Sequence, residues 1–195
     1  MTIRCLDIND LRSIYDTRIK KDFSGTARRP FGQIKAMHNK NRYLCLALEE
    51  ENRILAYATF IHDDTIDSVL LDYYAVDKGQ RGNGIGSRFI PLIKEYWKDK
   101  SGIVMECEAP DAAKSEDDRI TRTRRIDFYI RSGAESTDVR WRMFGMAYSI
   151  LWLPVKQKAS QVDVAGDFEK LYSLAMPAAI RKLFTRIRLG DGERQ

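Results

Sequence analysis

Gly82, Gly84 and Gly86 recur at every second position directly after Arg81 and before Ser87, a pattern suited to binding an anion through the main chain. Glycine takes φ > 0 without penalty and lets a ligand approach the backbone closely. Where such a turn opens a helix, the N–H groups of the first turn are aimed at a phosphate. Arg81 adds a fixed positive charge beside them. Spacing excludes two better-known phosphate loops. A dinucleotide fingerprint, G-x-G-x-x-G, fails because the third position is Ser87 when counted from Gly82 and Phe89 when counted from Gly84. A nucleoside-triphosphate loop fails because Ile85 stands where lysine is required after Gly79 and Gly84.

The pattern that fits is Arg-x-x-Gly-x-Gly, met by Arg81, Gly84 and Gly86. It resembles the acetyl-CoA pyrophosphate loop of the GNAT superfamily of N-acetyltransferases. Tyr74-Ala75-Val76-Asp77 just before it resembles that family's fourth strand. Downstream, Arg125 to Ala134, with Phe128, Tyr129 and Gly133, is similar to the family's helix ending in Phe-Tyr-x-x-x-Gly-Phe; Ala134 stands where the family has an aromatic residue. Between the two matches, Gly102 to Glu108 is a short apolar run like the fifth strand. The resemblance covers residues 1–150 in layout and 68–134 in motifs.

The resemblance implies an enzyme that moves an acetyl group from acetyl-CoA to an amine by direct attack in a ternary complex. Tyr74, Ala75, Val76, Arg81, Gly82, Asn83, Gly84, Ile85, Gly86 and Ser87 would hold the cofactor, and a main-chain N–H near Ala75 or Val76 would stabilise the oxyanion. Tyr129 matches the tyrosine that protonates the departing thiolate. Its alternative is a core tyrosine on an amphipathic helix. The base is open among Asp72, Glu106 and Glu108, directly or through water, with Asp72 nearest the expected thioester. A carboxylate inside an apolar strand costs free energy unless paired or solvated, and pairing with Arg122, Arg124 or Arg125 is the other role for all three. The acceptor is also open: a small amine, an aminoglycoside-like polyamine, or a protein N-terminus or lysine. Arg28-Arg29 falls where the resembled family covers its acceptor, which allows an acidic acceptor; a solvated loop is the plainer reading. A non-catalytic acyl-CoA sensor shares the glycine loop, and a basic nucleic-acid-associated protein ranks last because no aromatic residues interleave the basic segments.

The elements that must position these residues follow from periodicity. Leu11, Ile14, Tyr15, Arg18 and Ile19 mark a first helix capped by Asn9 or Asp10, and a short helix follows from Pro30 to about Met37. Arg42–Glu49, Arg53–Ile61 and Ser68–Val76 read as strands. A helix with Ile85, Phe89, Leu92, Ile93, Tyr96 and Trp97 on one side starts near Gly84, although Pro91 removes a hydrogen bond within it. Ser115 caps the next helix, and Met143–Val155 forms a strand ending at a proline. The predicted class is α/β (α+β), with a mixed, mostly antiparallel central sheet flanked by helices. Residues 1–155 form the acyltransferase domain. Residues 156–195 form a polar linker and two helices over Asp167–Leu189 divided by Pro177, which either cover the sheet or make a homodimer contact.

Composition bounds the rest. The chain has 195 residues, 44% hydrophobic and 31% charged, enough for one domain with a real core. The net charge of +5 suits a polyanionic cofactor. Cys5, Cys45 and Cys107 lie far apart, and His38 and His62 are the only histidines, both expected at the surface or in loops. No metal-ligand spacing results. Without a signal-peptide core or an apolar run of about 20 residues, the chain reads as soluble and cytoplasmic, with neither membrane nor metal among its partners.

Overall fold

The structure, a computed structural model, describes residues 1–23, 28–176 and, for the backbone alone, 185–189. It is α/β, with mixed, mostly antiparallel sheet flanked by helices. The chain divides into two compact units, one formed by Met1–Asp64 with Leu71–Tyr96, the other by Thr65–Leu70 with the chain from Trp97 onward.

In the first unit, β1 (Thr2–Cys5) is followed by α1 (Ile8–Ile14), a π-helical turn at Tyr15–Ile19 and α2 (Lys20–Asp22). The helix starts earlier than expected. Asp7, rather than Asn9 or Asp10, is its cap, and its carboxylate accepts from the Asn9 and Asp10 amides, both at 2.8 Å. Pro30 likewise precedes α3 (Phe31–His38) instead of sitting in its first turn. Next come β2 (Tyr43–Glu50), β3 (Arg53–Ile61) and β4 (Ser68–Val76, of which this unit holds the part from Leu71), in sheet order β1-β2-β3-β4. The β2–β3 hairpin turns at Glu51 and Asn52, both at positive φ, and puts Cys45 opposite Thr59 and Tyr43 opposite Ile61. Its strands are almost wholly buried, which explains their continuous apolar runs. α4 (Ile85–Tyr96) contains Pro91 and buries Ile85, Gly86, Phe89, Ile90 and Ile93; Tyr96, expected on that face, is 42% exposed.

In the second unit, β5 (Gly102–Glu108), α5 (Glu116–Arg131), β6 (Glu135–Met143), β7 (Met146–Pro154), α6 (Val164–Ala175) and β8 (Thr185–Leu189) give the antiparallel order β5-β7-β6-β8. The expected single strand at 143–155 is the second arm of a hairpin whose turn residues, Phe144 and Gly145, both have positive φ, as a two-residue turn requires. Two C-terminal helices were expected over Asp167–Leu189. One is present as α6, while the backbone at 185–189 is strand; Pro177 lies outside the described residues. The polar stretch before α6 holds a 3₁₀ turn at Ala159–Gln161, and Asp163 caps the helix. α6 buries Val164, Phe168, Leu171, Tyr172 and Ala175, and Trp141 of β6 packs on Phe168 and Tyr172 at ring distances of 5.0 and 4.9 Å.

Gly102 supplies one stability prediction. A Cβ there would lie 2.2 Å from the ring of Trp152, which is fully buried and fixed by its indole N–H donating to the Gln157 carbonyl at 2.8 Å. Gly102→Ala is expected to destabilise the protein by about 1–3 kcal/mol, lowering Tm by roughly 2–4 °C per kcal/mol. A thermal melt checks this, and an unchanged Tm would show that the indole moves freely.

Candidate active site

The glycine loop is the best-formed feature of the first unit. Asp77 ends β4 with its amide donating to the Leu55 carbonyl at 2.8 Å, and its carboxylate accepts from the Gly79 amide at 3.0 Å, closing a 3₁₀ turn at Lys78–Gln80. Gly82 and Gly84 follow at φ 85° and 72°, where an L side chain is strained. α4 begins at Ile85, with the Arg88 amide donating to the Gly84 carbonyl at 3.1 Å. Pro91 therefore does not displace the helix start, and Ile85, Gly86 and Ser87 present the first-turn amides that have no acceptor within their own helix. A Cβ on Gly82 or Gly84 would meet nothing within 4 Å, so both glycines border open space.

The loop is braced from three sides. Tyr74 donates its phenol to the Gly86 carbonyl at 2.7 Å and lies along Phe89, ring centroids 5.8 Å apart. Burial pushes this phenol above its ordinary value, so it remains a donor. Arg81 donates from Nε to the Val76 carbonyl at 3.2 Å and reaches Asp22 of α2 at 3.5 Å. Asp22 in turn accepts from the Tyr57 phenol at 3.2 Å, and Arg18 of the π-helical turn lies 3.6 Å from Asp77. Ala75 is buried. An anionic phosphate fits this cradle: exposed amides, a half-exposed Arg81 and open space above the glycines.

Asp72 lies on the same β4 face as Tyr74 and Val76. Its partners are not the arginines expected from sequence. Oδ1 accepts from Arg29 Nε at 2.9 Å and Oδ2 from the Tyr43 phenol at 2.8 Å. Tyr43 also meets Thr59 at 2.9 Å, and the Thr59 hydroxyl accepts from the Tyr73 amide at 3.0 Å. Because the carboxylate can only accept, the donors run in one direction: Tyr73 N–H to Thr59, Thr59 O–H to Tyr43, Tyr43 O–H to Asp72. Sequence reading missed Arg29, Tyr43 and Thr59 in this role. The available signal was a polar side chain in each of three consecutive, otherwise apolar strands.

The remaining candidates belong to the second unit. Glu108 lies 3.7 Å from Arg122 and 3.6 Å from Arg125, the pairing that stood as its other role. Arg122 is 6% exposed and also bonds Asp118 and the Ala109 carbonyl, at 2.8 and 3.0 Å. Glu106 shares Glu108's face of β5. Burial first, then these two carboxylates, push the Tyr148 phenol above its ordinary value. Tyr129 is buried near the end of α5, its ring edge-on to Phe128 at 5.1 Å. Gly133, at φ 95°, stops that helix: its amide donates to the Ile130 carbonyl and the Ala134 amide to that of Tyr129, both at 2.9 Å.

His62, expected at the surface or in a loop, lies in the loop after β3 but is 6% exposed, while His38 places Nδ1 3.1 Å from the Tyr43 carbonyl. Among the described residues no group of three His, Cys, Asp or Glu could hold a metal, and no helix is long and apolar enough to cross a membrane. Burial pushes the Cys107 thiol up to about 12 and Cys45 higher still, whereas Cys5 is exposed. A thiol reagent is therefore expected to modify one cysteine in the native protein and all three after denaturation. Rapid native labelling of Cys107 would contradict its burial and make it a candidate acyl carrier.

The family model for GNAT acetyltransferases matches residues 8–115. No curated protein matches the chain. Among solved structures, a candidate GNAT acetyltransferase from Bacteroides thetaiotaomicron shares the fold with a TM-score of 0.70 at 16% identity, over 89% of this chain and 97% of that one. The ribosomal-protein-S18-alanine N-acetyltransferase from Escherichia coli gives 0.58 at 19% identity, over 83% and 97%. The spermidine N-acetyltransferase from Vibrio cholerae, solved with CoA and spermine, gives 0.59 at 12% identity, over 80% and 96%.

Proposed function

The chain belongs to the GNAT family of acetyltransferases, acyl-CoA-dependent N-acetyltransferases that use acetyl-CoA, and from that premise we propose that it moves the acetyl group directly to an amine within a ternary complex. The observation that carries this reading is the braced glycine loop opening α4 at Ile85. Acetyl-CoA supplies the activated thioester carbonyl. The amides of Gly82 to Ser87 and the Arg81 guanidinium hold the pyrophosphate, and a main-chain N–H at Ala75 or Val76 stabilises the oxyanion. Tyr129 gives its phenolic proton to the leaving thiolate.

The amine must lose a proton. Asp72 accepts one hydrogen bond on each oxygen, and a carboxylate oxygen keeps a second lone pair that can take the amine proton. Water relayed to Glu106 or Glu108 is the alternative route. The acceptor class is read no finer than a small amine or a peptide amine; the Vibrio cholerae relative was solved with spermine. Calorimetric titration of the CoA-free protein with acetyl-CoA tests the reading, followed by thiol release with spermidine, an alanine-initiated peptide and an aminoglycoside. One-to-one binding with amine-dependent thiol release supports it. Binding without release from any amine would indicate an acyl-CoA sensor, and no binding overturns the loop argument.

A further inference from the structure

Arg29 is held at three points, more than a solvated loop residue needs. Its Nε donates to Asp72 at 2.9 Å, with the two side chains 11% and 9% exposed. Its amide donates to the Tyr73 phenolic oxygen at 2.7 Å, and its carbonyl accepts from the Tyr15 phenol at 2.8 Å. Phe23 packs at a tilt against Tyr73 at 4.7 Å and Phe31 against Tyr15 at 5.2 Å, so the aromatic rings that supply these hydroxyls are held by neighbours. Arg28 adds a bond from Nη1 to the Lys20 carbonyl at 3.2 Å. The connection into α3 is thereby fastened to consecutive residues of β4, one gripping the side chain and the other the main chain.

Stability alone is a poor reason for such a pair. Burying a guanidinium and a carboxylate costs about as much in desolvation as their attraction returns, and an apolar pair of similar volume would hold the segment as well. What distinguishes the pair is its position. Asp72, Tyr74 and Val76 share one face of β4. Val76 is tied to Arg81 and Tyr74 to Gly86, so that face leads straight from the glycine loop to the Arg29–Asp72 pair. Successive residues on one face are spaced by about 7 Å. A ligand anchored at the loop and extending along this face reaches the pair within two such steps.

We propose that Arg29 is a positioning residue for the acceptor: bound to Asp72, it forms a charge-balanced, hydrogen-bonded wall against which the incoming amine is oriented. The proposal rests on the acetyltransferase reading above. It also assigns the Arg29 charge to Asp72, which removes Arg29 as a recruiter of acidic acceptors.

The test compares wild type with Arg29→Gln, Arg29→Lys and the neutral pair Arg29→Met with Asp72→Asn, using the fastest amine of the panel. Arg29→Gln is expected to raise KM for the amine about tenfold, the value of one charged hydrogen bond, with the acetyl-CoA Kd unchanged within about twofold. Arg29→Lys should recover part of the loss, whereas the neutral pair, balanced in charge but without the hydrogen bonds of the wall, should not. Equal losses in amine KM and acetyl-CoA Kd would reduce Arg29 to a structural role and overturn the proposal; so would an unchanged KM. Should wild type bind no acetyl-CoA, the acetyltransferase reading fails separately. The fastening of Arg29 is then read by hydrogen exchange over residues 28–38, which should quicken in Arg29→Gln, and unchanged exchange would sink that part as well.

Discussion

Gly84→Trp is expected to lower acetyl-CoA affinity by at least about 100-fold, the loss of two charge-assisted hydrogen bonds, while the protein remains folded. Both halves follow from the same residue. At φ 72° a non-glycine residue pays about 1–2 kcal/mol, a cost a domain of this size can bear. Nothing lies within 4 Å of the position its Cβ would take, so no neighbour is displaced. The indole instead enters the open space above the first-turn amides, where the pyrophosphate is proposed to lie. Calorimetry beside a thermal melt separates the two effects. A Tm within a few degrees of wild type with no measurable binding supports the loop as the cofactor site. Retained binding would place the cofactor elsewhere and withdraw the roles given to Arg81 and to the amides.

The second large effect concerns Tyr129. Tyr129→Phe is expected to lower kcat by about 100-fold, in the range of a lost general acid, and to leave acetyl-CoA affinity unchanged. The substitution keeps the ring, which lies edge-on to Phe128. It also keeps the carbonyl that accepts from the Ser132 and Ala134 amides at the end of α5. A purely structural tyrosine would show the opposite pattern: a drop in Tm of a few degrees with kcat nearly intact. Single-turnover measurement of thiolate release makes the distinction sharp, because the proton is needed at that step.

Much of this was legible from the residues alone, for identifiable reasons. β3, β4 and β5 were bounded correctly because turn residues delimit their largely apolar runs. The loop and the start of α4 were readable because glycine spacing reports backbone conformation directly. β6 was missed although its exposed Ser136, Asp138, Arg140 and Arg142 alternate with buried Val139 and Trp141, because it holds no apolar run to stand out beside that of β7. The strand at 185–189 escaped because its arginines suit a helix end as well as an edge strand, and only pairing with β6 decides between them. The Arg29–Asp72 bond joins residues far apart in sequence, which no local pattern can announce. Asp7 was overlooked as a cap because Asn9 and Asp10 offer the same chemistry two positions later.

The hydrogen bond from Tyr74 to the Gly86 carbonyl has an electronic consequence. That carbonyl and the Ser87 N–H belong to one peptide unit, whose π-system shares charge across the C–N bond. A donor on the oxygen draws electron density toward it and leaves the Ser87 hydrogen more positive, a cooperative gain of about 10–30% per bond in condensed-phase estimates. The phenol thus reaches an anion at the loop without touching it, through resonance in the amide between them.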